Sequence, residues 1–506
     1  MSGHSVKGIL MPFVKGAARV APVLLALGLS ACSDFLDVNN NPNAPENATI
    51  DIRLPALEAT FIHSTYYGAT ALWGSEWTQQ WAFNNGRRSY AQVQNYELFD
   101  TDAGSSWDYF YSRPGNASFT MVRDASAESD AYYRGIAKLF YAWTFQIITD
   151  LWGPAPYTDA FRPEIREPKY DSQQFIYNGI LANLDTAVSL FSTATARKPT
   201  TNDLLYGGDM VKWSKLAHFL QARANLRLAY APGEDKVGRA NKALAALAGG
   251  FASNADDADF VYPGGVNGAR NPNYTFIDLR TTFVGSAYMI QMLQGRSDPR
   301  LGILFTPIVY DSIRGSGTSR RTFPAKPNTF VGHLEGSDQF QTDSTVSNIG
   351  LFFSSDSSKL SVASYADQKF TEAEARLIAT GAATADPAYR DGIRANMTKL
   401  GVPSAAIDAY IAARPPLASV DNPLQEIITE KYIANFLKTE PWNDWRRTGY
   451  PVVPLVPQAV INTIPQRIRA PNSELSTNGA QLAATGIPTG IEGMKVKVWW
   501  AGGDNK

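Results

Sequence analysis

Ile136-Ala-Lys-Leu139-Phe140-Tyr-Ala-Trp143-Thr-Phe-Gln-Ile147 is the stretch that decides the fold class. Ile136, Leu139, Phe140, Trp143 and Ile147 recur at the i, i+3, i+4, i+7 and i+11 spacing of one apolar helix face. The pattern returns along the chain. Ile180, Leu184, Ala187, Val188 and Phe191 form a second stripe. Its helix is predicted to start at residues 170–174, with Asp171 as cap and Gln174 completing a capping box. Trp213, Leu216, Ala217, Leu220, Ala224 and Leu228 form a third. Asn422-Pro423 opens another helix, because Pro suits a first turn and Gln425 follows the Asn by three. There Leu424, Ile428, Tyr432 and Phe436 are expected to face inward, and Trp73 and Trp77, four apart, read as core.

Consecutive amphipathic helices with short breaks suit stacked helical hairpins. A helical scaffold is expected over residues 51–250 and 362–445 of a single domain, residues 51–506. Residues 251–361 read as a loop-rich insertion, from the Gly, Asn and Pro clusters near 263 and 271 and the Ser, Gly, Thr and Asp content of 308–361. Loops this long inside a compact domain are uncommon and often functional. Residues 446–506 again read as loop-rich. With 506 residues, 44% of them hydrophobic, the chain can bury a large core. A net charge of −1 gives none of the basic surplus that a nucleic-acid footprint needs.

The N-terminus reads differently. Lys7, Lys15 and Arg19 precede an apolar run from Val20, and small residues follow it, the pattern of a secretory signal peptide over residues 1–31. The run is shorter than the roughly 20 apolar residues a spanning helix needs. Leu29-Ser30-Ala31-Cys32 resembles the bacterial lipobox, which implies cleavage before Cys32 and lipid on its thiol. Cys32 is the only cysteine, so it has no disulfide partner within the chain. Buried acyl chains make a lasting membrane anchor. The Asn- and Pro-rich residues 32–50 then read as a flexible tether.

A set of short motifs follows in order. They are Phe35-Leu36-Asp37, Thr149-Asp150-Leu-Trp-Gly153-Pro-Ala-Pro156-Tyr157, Pro168-Lys-Tyr170-Asp171-Ser172-Gln173 and Tyr206-Gly-Gly208-Asp209 through Trp213. Asp298-Pro299-Arg300-Leu301, Phe370-Thr-Glu-Ala373-Glu374-Ala375, Glu430-Lys431-Tyr432 and Trp442-Asn-Asp444-Trp-Arg446-Arg447 come next, and Ile464-Pro465-Gln-Arg467 and Pro471-Asn-Ser-Glu474 close the series. In this order the chain resembles the SusD/RagB-type (SusD-like) outer-membrane nutrient-binding lipoproteins nearly end to end. The resemblance implies a mostly α fold, a tetratricopeptide-like superhelix of roughly four hairpins with long irregular loop insertions. It implies an exterior-facing lipoprotein that captures an oligosaccharide, or in some branches a peptide, for a SusC-type TonB-dependent transporter. It implies no enzyme and no cofactor. Trp152 and Ala155 depart from the family's usual Tyr and Val, which leaves the scaffold untouched. Locally the same motifs read as folding devices: Gly153-Pro stops a helix, Asp209 caps one, and Glu374, Arg446 and Arg447 are expected in buried pairs with neighbours such as Asp444.

Catalytic motifs are absent: there is no His-Glu-x-x-His, Cys ligand set, phosphate-binding Gly loop or Gly-x-Ser-x-Gly. Two carboxylates suffice for a glycosidase, so a glycan-cleaving enzyme stays open as an alternative among 47 acidic residues. Sugars stack apolar C–H faces on aromatic rings and bond polar groups with their hydroxyls, so loop aromatics with polar neighbours are the candidate ligand residues. These are Trp81, Arg87 and Tyr90 in one stretch and Arg270 and Tyr274 in a second. Phe330 and Phe352, with His333, Phe340 and Phe353 beside them, are the candidates of the 308–361 segment. No metal ligand set is expected.

Overall fold

The computed structural model describes residues 48–66, 72–84, 92–126, 128–266, 269–277, 283–308, 313–314, 321–322, 328–337 and 345–505. The signal peptide, Cys32 and nearly all of the tether lie outside them. Residues Ile50–Lys506 are one unit of the chain, and the description below is of that unit.

The helices are α1 (Ile50–Tyr66), α2 (Asp100–Phe110), α3 (Asn116–Asp124), α4 (Ala131–Trp152), α5 (Gln173–Phe191), α6 (Met210–Leu228) and α7 (Lys236–Leu247). Within the insertion lies α8 (Ala287–Gly295), and after it come α9 (Tyr365–Thr380), α10 (Ala382–Lys399), α11 (Ser404–Ala412), α12 (Pro423–Ala434) and α13 (Glu440–Thr448). Four hairpins, α4–α5, α6–α7, α9–α10 and α12–α13, follow one another along the chain, and α6 packs on α5, α9 on α7, and α12 on α9. The fold is mostly α and tetratricopeptide-like, because each hairpin buries its apolar faces only against a neighbour.

Local chemistry sets the helix ends. Asp209 accepts from Val211 N and Lys212 N at 3.0 and 3.1 Å, and Asn422 accepts from Gln425 N at 3.0 Å, both as expected. The start of α5 differs from expectation. Ser172 caps it, accepting from Phe175 N at 3.3 Å. Asp171 instead turns back to accept from Thr158 N at 2.7 Å, because its backbone bridges Ala155 and holds its carboxylate toward the preceding loop. Helix α4 stops at Gly153, whose φ of +87° suits glycine. A Cβ there would also lie 2.8 Å from Arg467 Nη1, which donates to the Trp152 carbonyl at 3.0 Å.

The insertion is more regular than its composition suggests. It holds α8 and the strands β1–β6 of three antiparallel two-stranded ribbons, apart from β1 itself. β1 (Trp81–Phe83) pairs with β3 (Phe283–Gly285), β2 (Ala258–Phe260) with β6 (Leu360–Ala363), and β4 (Ile313–Arg314) with β5 (Arg321–Thr322). A second apolar core, including Phe83, Phe283, Phe305, Tyr389 and Phe436, joins the first ribbon to the last two hairpins.

The motif charges are buried and paired. Arg300 is fully buried, donating to Asp298 and to Glu430 at 2.6 Å each. Arg227 pairs with both Asp150 and Glu440, and Tyr177 OH donates to Asp150 at 2.5 Å. Arg447 bonds Asp444 and Glu374, as the sequence predicts. Arg446 differs: among the described residues it makes no ion pair, and it donates to the carbonyls of Asp150 and Gln466 at 2.7 and 3.0 Å, with its guanidinium 3.7 Å from the Trp442 ring centroid. Burial pulls its pKa down to about 9, against the opposing pull of the Asp150 carboxylate.

Candidate functional site

The sequence-predicted ligand residues separate in space. Trp81 belongs to β1 and is 1% exposed. Its Nε1 donates to Ser75 Oγ at 2.8 Å and its ring lies 4.0 Å from Phe283. Pairing with β3 turns the ring into core, so the indole offers no face to a ligand. Arg87, Tyr90 and Phe340 lie outside the described residues. Phe330 is half-buried against the second core, and His333 is buried.

The segments around 270 and 352 do meet. Arg270 donates to the Gly265 carbonyl at 2.7 Å and its guanidinium stands 5.4 Å from the Tyr274 ring centroid. Next to it, Asn271 ties the two segments together: its N–H donates to the Asp356 carbonyl at 2.7 Å and its Nδ2 to the Ser358 carbonyl at 2.7 Å. Asn273 then forms part of the wall of a cavity of about 420 Å³, with Phe352 and Phe353 opposite residues 434–438. A series of edge-to-face rings leads to it from the core. Phe305 packs on Phe436 at 5.4 Å, Phe436 on Phe353 at 5.1 Å, and Phe353 on Phe352 at 4.9 Å. The last ring, Phe352, remains 42% exposed.

Polar groups surround that ring. Ser355, Ser358, Ser361 and Ser364 line the cavity, as do Lys399, Lys438 and Asp259. Lys399 Nζ donates to Asp259 at 2.8 Å and Ser361 Oγ at 2.9 Å and also binds Asp257, so its charge is locally balanced. Lys438 donates to Asn435 Oδ1 at 3.3 Å, and burial lowers its pKa. The site thus offers one ring face, several hydroxyls and the Lys438 ammonium, the three N–H groups of Lys399 being taken by Asp257, Asp259 and Ser361. That mixture suits a hydroxyl-rich ligand with an apolar face. Among the described residues no group of three or more His, Cys, Asp or Glu could hold a metal ion.

Sequence reasoning missed Phe436, Lys399 and Lys438. Lys399 is indeed scaffold, the last residue of α10, and still lines the cavity, whereas α12 ends at Ala434 before Phe436 and Lys438, and Leu437 takes a φ of +61°. That left-handed residue turns the chain so that residues 436–438 face the cavity. No local signal marks it.

A cluster of buried carboxyls lies beneath the first ribbon. Glu76 and Glu335 are both buried, with their carboxyls close enough to act on each other's charge. Burial is the main cause, and the neighbouring carboxylate adds to it for Glu335; both pKa values stand well above the ordinary Glu value.

Comparison with known proteins places the chain among relatives. The model of the SusD-like family described as "starch-binding associating with outer membrane" matches residues 46–471. A crystal structure of a SusD/RagB family protein from Bacteroides thetaiotaomicron is 25% identical, with a TM-score of 0.76, covering 90% of this chain and all of that one. A chitin-binding protein is 25% identical with a TM-score of 0.73, covering 88% of this chain and all of that one. A chitin-binding SusD homolog from Flavobacterium johnsoniae is 24% identical with a TM-score of 0.74, covering 90% of this chain and all of that one. No curated protein matches. Among the described residues, no helix is long and apolar enough to cross a membrane.

Proposed function

This chain belongs to the SusD-like family, and from that premise we propose that it captures glycans at the outer membrane and delivers them to a partner TonB-dependent transporter. The observation that carries the reading is Phe352, a ring packed edge-on against Phe353, which itself packs on Phe436, yet left 42% exposed over a cavity rich in hydroxyls. A pre-placed ring costs little conformational entropy when a sugar stacks on it. Ser361, Asn396 and Lys438 also line the cavity and bring polar groups to it for sugar hydroxyls. The chitin-binding relatives make chitin fragments, and the family's description makes starch fragments, the first ligands to try.

Lipid on Cys32 would hold the body at the membrane, facing the cell exterior, through the short Asn- and Pro-rich tether. Calorimetric titration of the full chain with soluble fragments of starch and of chitin tests the binding reading. Saturable heat, weakened by Phe352→Ala, is the expected result; no heat with either glycan, or shortening of the glycan during incubation, would overturn it. Co-purification of the chain with a TonB-dependent barrel from native outer membranes tests the delivery step.

A further inference from the structure

A second aromatic surface lies away from that cavity, in an open groove of about 730 Å³ bounded by α2, α3, the loop after α4 and a short C-terminal helix, Asn472–Thr477. Four rings run along it. Trp107 and Tyr111 are 4.8 Å apart, Tyr111 and Phe161 6.0 Å, and Phe161 and Phe119 5.2 Å. Trp107 is backed by Trp152 at 5.1 Å, while Tyr111, Phe119 and Phe161 are only half-buried. The rings are fixed in place. Tyr111 OH donates to the Pro156 carbonyl at 2.7 Å. Phe161 holds a φ of +60°, uncommon for a bulky side chain, and its ring lies over Gly115, where a Cβ would come within 2.8 Å of Phe161 Cζ. A strained residue kept at a surface groove is a reason to ask what the groove binds.

We infer that this groove is a second glycan site, taking at least two rings of an uncharged sugar chain. The inference rests on the glycan reading above and adds a site to it. The ring-to-ring steps are close to the size of a sugar ring, so successive sugars can stack on successive rings. The rim carries both signs, with Asp108, Asp159 and Glu474 against Arg162 and an Arg123 already paired with Asp124. Such a rim favours neither a polyanion nor a polycation, but it can accept from and donate to sugar hydroxyls. Arg162 is exposed and makes no ion pair among the described residues, leaving its donors for a ligand.

The test is calorimetry of the full chain with soluble fragments of starch and of chitin, read as stoichiometry. Two sites per chain are expected. Phe119→Ala and Phe161→Ala should each weaken one of them by at least about tenfold while leaving the site sensitive to Phe352→Ala unchanged. Arg162→Ala, which removes an exposed side chain and should leave the fold intact, should weaken the same site as Phe119→Ala. A single site lost in Phe352→Ala and untouched by all three groove variants would overturn the second site while the proposed function stood. Absence of any glycan binding would overturn both. Binding of a proline-rich peptide, in place of glycan, that depended on Phe119 would overturn the sugar assignment of the groove.

Discussion

Arg447 clasps Glu374 across 73 residues of chain, with Nη2 donating to Oε2 at 2.7 Å and Nη1 to Oε1. Tyr230 OH adds a bond to Oε1 at 2.6 Å. Burial works against the Glu374 charge, but Arg447 outweighs it and holds the carboxyl below its ordinary pKa. Removing Glu374 leaves Arg447 Nη1 without a partner while Asp444 still holds Nε and Nη2, at a cost of about 1–3 kcal/mol. Glu374→Ala should therefore lose about that much in urea unfolding. A loss of a few tenths in the single variant would mean that water reaches the guanidinium.

The Glu76–Glu335 pair predicts a pH dependence of the opposite sign to a salt bridge. Both groups have pKa values raised above the ordinary 4.5, so the folded chain keeps protons that the unfolded chain releases. Below pH 4.5 both states are protonated and the pair's contribution is fully present; as pH rises above 4.5 it is progressively lost. Glu335→Gln removes one of the two titrating carboxyls and its charge beside Glu76. It should raise the melting temperature at neutral pH and gain little near pH 4. An equal gain at both pH values would show that the pair does not titrate as described.

Trp81→Ala should act on stability. Emptying a buried indole site costs about 3–5 kcal/mol. The affinity of the folded fraction for glycan should stay within about twofold, since the ring faces Phe283 and not a cavity. Thermal melts and titrations of the same sample separate the two effects.

Gly153→Ala should be costly for its size. The left-handed backbone alone costs an L-residue about 1–2 kcal/mol. The new methyl would also push Arg467 from the Trp152 carbonyl it caps. Denaturant unfolding should register a loss of about 2 kcal/mol or more, against the few tenths typical of a surface substitution.

What the sequence made legible was local. The caps at Asp209 and Asn422 and the stripe from Ile136 to Ile147 depend on neighbours within a turn or two, and the structure has them as read. Non-local pairing was not legible. Trp81 sits beside Asn84-Asn85-Gly86 and looks like a loop residue until β3 supplies its partner. Ser172 displaced Asp171 as a cap because of one bridge to Ala155. Arg446 and Arg447 are adjacent in sequence yet point to different surroundings, one to carbonyls and an indole and the other to carboxylates. The candidate cavity was half legible. Phe352 and the 270–274 segment could be named from composition, but Lys399 and Lys438 lie on stretches that read as scaffold.

Glu440 of the last hairpin meets Arg227 of the second, Arg227 meets Asp150 of the first, and Arg446 of the last hairpin bonds the Asp150 carbonyl directly. An ordinary hairpin array is a line whose terminal units fray first. Here the final unit is fastened back onto the opening one, so the array has no loose end and behaves as a closed loop. Amide exchange should then show one shared opening free energy for helices at both extremes of the array, in place of a gradient running inward from each terminus.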